Sequence, residues 1–132
     1  MKTPLLLVSI ALLVACAAPD RTFREDAAAV AWLSPDGSRP QIDVTGSWFV
    51  PDWGSGYLAQ TGNRIAGYLD QYSISGIVRG RSINLVISER GVTRYTGLVT
   101  ATSPARLDGF YSRGIPFDPR RQRTLTFDKI SR

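Results

Sequence analysis

The sequence predicts an all-β chain, an eight-stranded antiparallel up-and-down β-barrel over residues 44–132 behind an N-terminal signal (1–15) and a tether (16–43). Three observations predict it. From Asp43 onward apolar and polar residues alternate with the period of a half-buried strand. Turn residues interrupt that alternation about every ten positions, as in a meander of hairpins, with Gly62-Asn63, Asp70-Gln71 and Gly80-Arg81 the tightest. Glycine recurs in six of the eight strands, at Gly46, Gly56, Gly67, Gly76, Gly97 and Gly109, always on the apolar face. It weakens a flat strand, but it permits the coiling that closes a barrel, and it leaves room inside.

In chain order, Lys2 and the apolar run Pro4–Val14 come first. The run is shorter than the roughly 20 residues of a membrane-spanning helix, so it reads as a secretory signal. Leu13-Val14-Ala15-Cys16 resembles the lipobox of bacterial lipoproteins. That resemblance implies cleavage before Cys16, diacylglycerol on its sulfur and an acylated amino group, hence a bilayer partner through Cys16. Ala17 stands where retention in the inner membrane uses aspartate, which implies an outer-membrane address, with the barrel in the periplasm or at the surface. Two or three acyl chains anchor far more firmly than one. An ordinary signal with a chance cysteine is the alternative.

The tether carries a candidate short helix over 23–33. Thr22 and Glu25 have capping-box spacing ahead of Ala27–Leu33, and Pro35-Asp36-Gly37-Ser38 stops the run. A helix this short is marginal alone, so Val30, Trp32 and Leu33 need a surface to pack on. A spacer without secondary structure is the alternative.

The eight strands are Val44–Val50, Gly56–Gln60, Arg64–Leu69, Tyr72–Val78, Ser82–Ser88, Arg94–Ala101, Arg106–Ser112 and Arg123–Ile130. Two-residue turns fix their register. Gly62-Asn63 pairs Leu58 with Gly67, Asp70-Gln71 pairs Gly67 with Ile74, and Gly80-Arg81 pairs Gly76 with Leu85. Across the longer loops Ile87 opposes Tyr95, Leu85 opposes Gly97, Val99 opposes Leu107, and Gly97 opposes Gly109. Each hairpin hands one apolar face to the next, which a slipped register would scatter. That inner face holds Trp48, Val50, Leu58, Ile65, Leu69, Ile74, Val78, Ile83, Leu85, Ile87, Val99, Leu107, Leu125 and Phe127, with Tyr95 and Tyr111. The other face carries Asn84, Arg94, Thr96, Asp108 and Thr126 and is expected to be largely solvated, with Tyr57, Tyr68, Ile77, Val86, Leu98 and Phe110 also outward. Strands this short with so polar an exterior do not predict a membrane-crossing barrel.

Gly46-Ser47-Trp48 opening the first strand resembles the Gly-x-Trp of calycin barrels, the lipocalin and avidin-like group, and the meander is similar throughout residues 44–130. The resemblance implies the fold alone. Ser55-Gly56-Tyr57 also resembles the Ser-Gly motif of small lysozyme-inhibitor lipoproteins, without the cysteines common there.

Composition narrows the chemistry. There is no His, and Cys16 is the single Cys, which excludes an internal disulfide, thiolate or imidazole metal sites and His-based catalysis. No acidic pair, activated nucleophile or phosphate-cradling glycine loop is recognisable, so no enzyme, metal, cofactor or nucleic-acid partner is expected. Fourteen of the sixteen basic residues are Arg, which suits planar anionic groups.

Strands one, three, five and seven run away from the tether, so the loops 51–55, 70–71, 89–93 and 113–122 share the far end. They carry Trp53, Arg90, Arg113, Phe117, Arg120 and Arg121. Two readings follow. In the first, Trp48, Gln60, Tyr72, Tyr95 and Tyr111 line a cavity for a small anionic or amphipathic ligand beneath that rim. In the second, a filled barrel docks an envelope protein or polymer through its loops or outer apolar residues. An interior void of about 300 Å³ or more favours the first, and a filled interior ends it.

Overall fold

The computed structural model describes residues 27–130. The signal, the lipobox with Cys16 and the Thr22/Glu25 pair lie outside the described residues. Eight strands form one closed antiparallel barrel in sequence order: β1 (Gly46–Val50), β2 (Gly54–Thr61), β3 (Arg64–Leu69), β4 (Tyr72–Arg79), β5 (Ser82–Glu89), β6 (Val92–Ser103), β7 (Arg106–Arg113) and β8 (Arg123–Lys129). The barrel closes where β8 meets β1, through Trp48 opposite Lys129 and Phe49 opposite Asp128.

The predicted pairings of β2 through β6 are all present. Between β6 and β7 the register differs by two residues. Val99 opposes Gly109, Ala101 opposes Leu107 and Gly97 opposes Tyr111, with an irregularity between Ala101 and Ser103. The cause is local. β6 continues to Ser103, so only Pro104-Ala105 are left to turn. A shift of two preserves the side-chain alternation, and the inside and outside faces stand as expected.

The interior is filled, which ends the reading of a ligand cavity inside the barrel. Trp48 is 1% exposed and packs with Val50, Leu58, Leu69, Ile74, Ile83, Leu85, Ile87, Val99, Leu107, Leu125 and Phe127 into one cluster. The inner glycines do not hold space open. A Cβ added at Gly67 or Gly109 would stand 2.0 Å from the carbonyl oxygen of Tyr57 or Leu98. These are the backbones of the adjacent paired strands, β2 beside Gly67 and β6 beside Gly109.

Two segments also cover part of the outer face. A helix over 27–32 lies against it, with Trp32 Nε1 donating to Leu85 O at 2.9 Å and Asn84 Nδ2 donating to Trp32 O at 3.0 Å. Arg64 and Arg79 donate to the carbonyls of Leu33 and Ser34. Ile77, Val86, Asn84, Thr96 and Ser112 are buried although they point outward, Asn84 against the helix and Thr96 and Ser112 against the second segment, the β7–β8 connection. The expectation of a largely solvated exterior is corrected at these positions: Trp32 finds its packing surface on the barrel itself, whereas Val30, expected to pack with it, stays exposed.

The tether then crosses to the base. Gln41 N donates to Gly80 O at 2.8 Å. Gln60 binds both sides of the strap, accepting from Val44 N at 2.9 Å and donating to Ile42 O at 2.8 Å. Trp48 Nε1 donates to Val44 O at 2.8 Å.

Candidate functional site at the barrel mouth

The two ends of the barrel are closed by different chemistry. The base is sealed by the strap just described, held through backbone hydrogen bonds and the Gln60 amide. Trp48 and Gln60 therefore do not share a space with the three tyrosines. Trp48 meets Phe127 edge-on at 6.3 Å, with Lys129 Nζ 5.6 Å from its ring centre. Both residues act in packing and closure at the base.

The far end is sealed by rings. Tyr72, Tyr95 and Tyr111 stand at the upper limits of the inner faces of β4, β6 and β7, where alternation puts them above the aliphatic layers. Trp53 comes down from the β1–β2 turn, which its own N–H closes onto Val50 O at 3.0 Å. Its ring meets the tyrosines at 5.3, 5.1 and 5.0 Å between centroids, each time edge to face. Tyr95 adds contacts at 6.0 Å to Tyr72 and 5.4 Å to Tyr111. Such edge-to-face pairs are favoured by the ring quadrupoles and fix the cluster as a unit. All four rings remain half-buried. Burial pushes the Tyr72 phenol above its ordinary pKa, with smaller contributions from Tyr95 and Glu89. The indole N–H groups of Trp32 and Trp48 have acceptors, whereas that of Trp53 has none among the described residues.

Beside this floor the β7–β8 connection builds a wall. Gly114, at φ +75°, reverses the chain, with its N–H on Arg94 O at 2.7 Å and its carbonyl accepting from Thr96 Oγ1 at 3.0 Å. Ser112 Oγ accepts from Asp118 N at 2.8 Å, and Asp118 caps a single 3₁₀ turn, Pro119–Arg121. Phe117 stacks on Trp32, 5.7 Å between centroids and 12° from parallel. The loop thus folds down the outside of the barrel rather than arching over its end.

A cleft of about 580 Å³ results between loop and floor, with Tyr95, Tyr111 and Phe117 as its apolar lining and Arg113, Arg121 and Arg123 as its cations. Arg113 stands opposite Tyr95 and Arg123 opposite Tyr111 in the sheet, and both arginines line the cleft beside the ring floor. Asp118 approaches Arg121 at 4.0 Å, a long and exposed contact of little strength. Among the described residues neither Arg113 nor Arg123 has a carboxylate partner.

Of the residues expected to form the site, Trp53, Tyr72, Tyr95 and Tyr111 come together, and Arg113 and Arg121 join them at the cleft. Arg120 sits exposed on the 3₁₀ turn and does not line it. Arg123 does, and was legible: it precedes Leu125 by two on the inner face. Ser112 and Asp118 had no such signal, because their roles depend on a loop that folds back. Neither the family models, the curated proteins nor the solved structures compared with this chain match it, so its reading rests on the geometry of the mouth.

Proposed function

We propose that the chain is a lipid-anchored envelope protein whose solid barrel binds a small anionic, amphipathic ligand at its far end, outside the barrel. The observation that carries this reading is the cleft of about 580 Å³ with Arg113 and Arg123 unpaired beside a floor of tyrosines. Arginine forks chelate carboxylate or phosphate, and half-buried rings offer desolvated contact to the apolar part of the same ligand. The filled interior moves the ligand from the inside of the cup to its mouth. The lipobox supports the anchor, and the tether-to-mouth direction of β1 supports a mouth that faces away from the bilayer.

Titration with anilinonaphthalene sulfonate, an aromatic anion, tests the cleft. Replacing Arg113, Arg121 and Arg123 together by Ser is expected to weaken its binding at least about tenfold, the loss of about 1.4 kcal/mol. These side chains are exposed, so the melting temperature should change little. Undiminished binding refutes the cleft.

A second reading, docking of an envelope protein, is favoured by a separate observation. Phe49, Tyr57 and Tyr68 are exposed side by side across β1–β3, with Tyr57 opposite Tyr68 and Phe49 one diagonal away. On that reading Tyr57→Ser with Tyr68→Ser abolishes cross-linking to an envelope protein, whereas the three arginine substitutions do not.

A further inference from the structure

The mouth carries charge of both signs, part of it paired, Glu89 with Arg94 at 3.5 Å and Asp118 with Arg121 at 4.0 Å, and part of it held apart. On the side away from the arginines, a shallow recess of about 360 Å³ is bordered by Asp52 and Asp70 around Trp53, Tyr72, Tyr95 and Tyr111. Tyr95 and Tyr111 line this recess and the arginine cleft alike, so the two form one continuous surface over the rings.

The acidic side is built into the turns. Asp52 and Asp70 both hold left-handed backbone conformations, φ 72° and 55°, which Asp and Asn tolerate better than most residues. Asp70 N donates to Ser55 O at 2.9 Å, tying the β3–β4 turn to the strand that follows Trp53. The Asp70 side chain lies close over Gly54, where an added Cβ would meet its Cβ at 3.5 Å. Both carboxylates therefore flank the Trp53 turn. Among the described residues neither is paired with a cation.

Opposite charges at one barrel end would ordinarily collapse into ion pairs. Here the ring cluster stands between them, locked by contacts of 5.0 to 6.0 Å between centroids. A purely anionic ligand gains nothing from the acidic recess and is repelled by it, which is how binding sites reject the wrong partner. A cation over Trp53 is attracted by the ring face and by both carboxylates.

We propose that the ligand of this mouth is a zwitterion. Its ammonium lies over Trp53 between Asp52 and Asp70, its acidic group is chelated by Arg113 and Arg123, and a short apolar spacer crosses Tyr95 and Tyr111. This inference rests on the anion reading of the cleft and names its ligand class more closely.

Three probes of matched length test it by calorimetry on the full chain: ε-aminocaproate, caproate and hexylamine. The expected order places ε-aminocaproate at least about tenfold tighter than either of the others. Asp52→Asn with Asp70→Asn, which suits the left-handed turns, should bring ε-aminocaproate down to the level of caproate. Arg113→Ser with Arg123→Ser should weaken both acidic probes. Equal binding of caproate and ε-aminocaproate overturns the zwitterion and leaves the anion cleft standing. Caproate binding that survives the arginine substitutions overturns the cleft as well, as does the absence of binding by all three probes. Hexylamine binding as tightly as ε-aminocaproate also overturns the proposal.

Discussion

Gly109 opposes Val99 with the two backbones so close that an added Cβ would stand 2.0 Å from Leu98 O and 2.6 Å from Val99 Cα. At Gly97 the nearest atom is Leu125 Cδ2 at 3.3 Å, the tip of a side chain that can move. Gly109→Ala is therefore expected to cost about 3 kcal/mol or more, and Gly97→Ala about 1 kcal/mol, as read from urea midpoints. Equal costs would show that the close approach is not what selects glycine. Asp108 makes a second case at this scale. Its carboxyl is held below the usual carboxylate range first by the Thr102 hydroxyl at 2.8 Å and then by Arg106 and Thr126, against some desolvation. A carboxyl depressed by folding stabilises the fold above its unfolded pKa, near 3.8, and loses that contribution as pH falls through the folded value. Stability should accordingly decline with acidification below about pH 4, and Asp108→Asn should flatten that decline in urea titrations. The sequence placed both residues on their correct faces by alternation. It could not tell a glycine that makes room from one that a neighbouring strand has already crowded, because alternation carries no distance.

The helix over 27–32 and the loop between β7 and β8 belong together, although more than eighty residues separate them. Trp32 is their joint: its indole binds Leu85 O on one side and stacks on Phe117 on the other. Trp32→Ala should lower stability by roughly 2 kcal/mol, less than for a fully buried tryptophan. It should also speed amide hydrogen exchange in residues 114–122, since the cleft wall then loses its outer support. Unchanged exchange there would mean that the loop holds itself. This association was not legible beforehand. Two-residue turns set register through β2–β5, inner parity turned Tyr72, Tyr95 and Tyr111 inward, and strand direction put the loop of Trp53 at the far end, but neither separated the tyrosines from Trp48 and Gln60. What covers Ile77, Val86 and Thr96 is decided by segments without strand periodicity, whose landing place no alternation encodes. The two-residue offset between β6 and β7 has a similar origin, in a strand that runs on through Ser103 to a tighter turn.

For the whole molecule, the filled core makes the barrel a support rather than a container, and the proposed recognition falls at one end of it. If Cys16 carries the anchor, Cys16→Ser should remove the lipid label and release the chain from the membrane fraction, with the folded barrel intact. Retained label refutes the lipobox assignment. The described chain also determines where tension arrives. Among the described residues, a pull from the N-terminal side would reach the helix first, where Trp32 and the contacts of Arg64 and Arg79 attach it across β3–β5. It would next meet Gln41 on Gly80 and the double grip of Gln60, and only then β1. The β1–β8 seam has two opposed residue pairs, fewer than any other strand junction. Successive attachments upstream thus act as a mooring that unloads in stages, and the weakest join of the barrel is the last to feel the line.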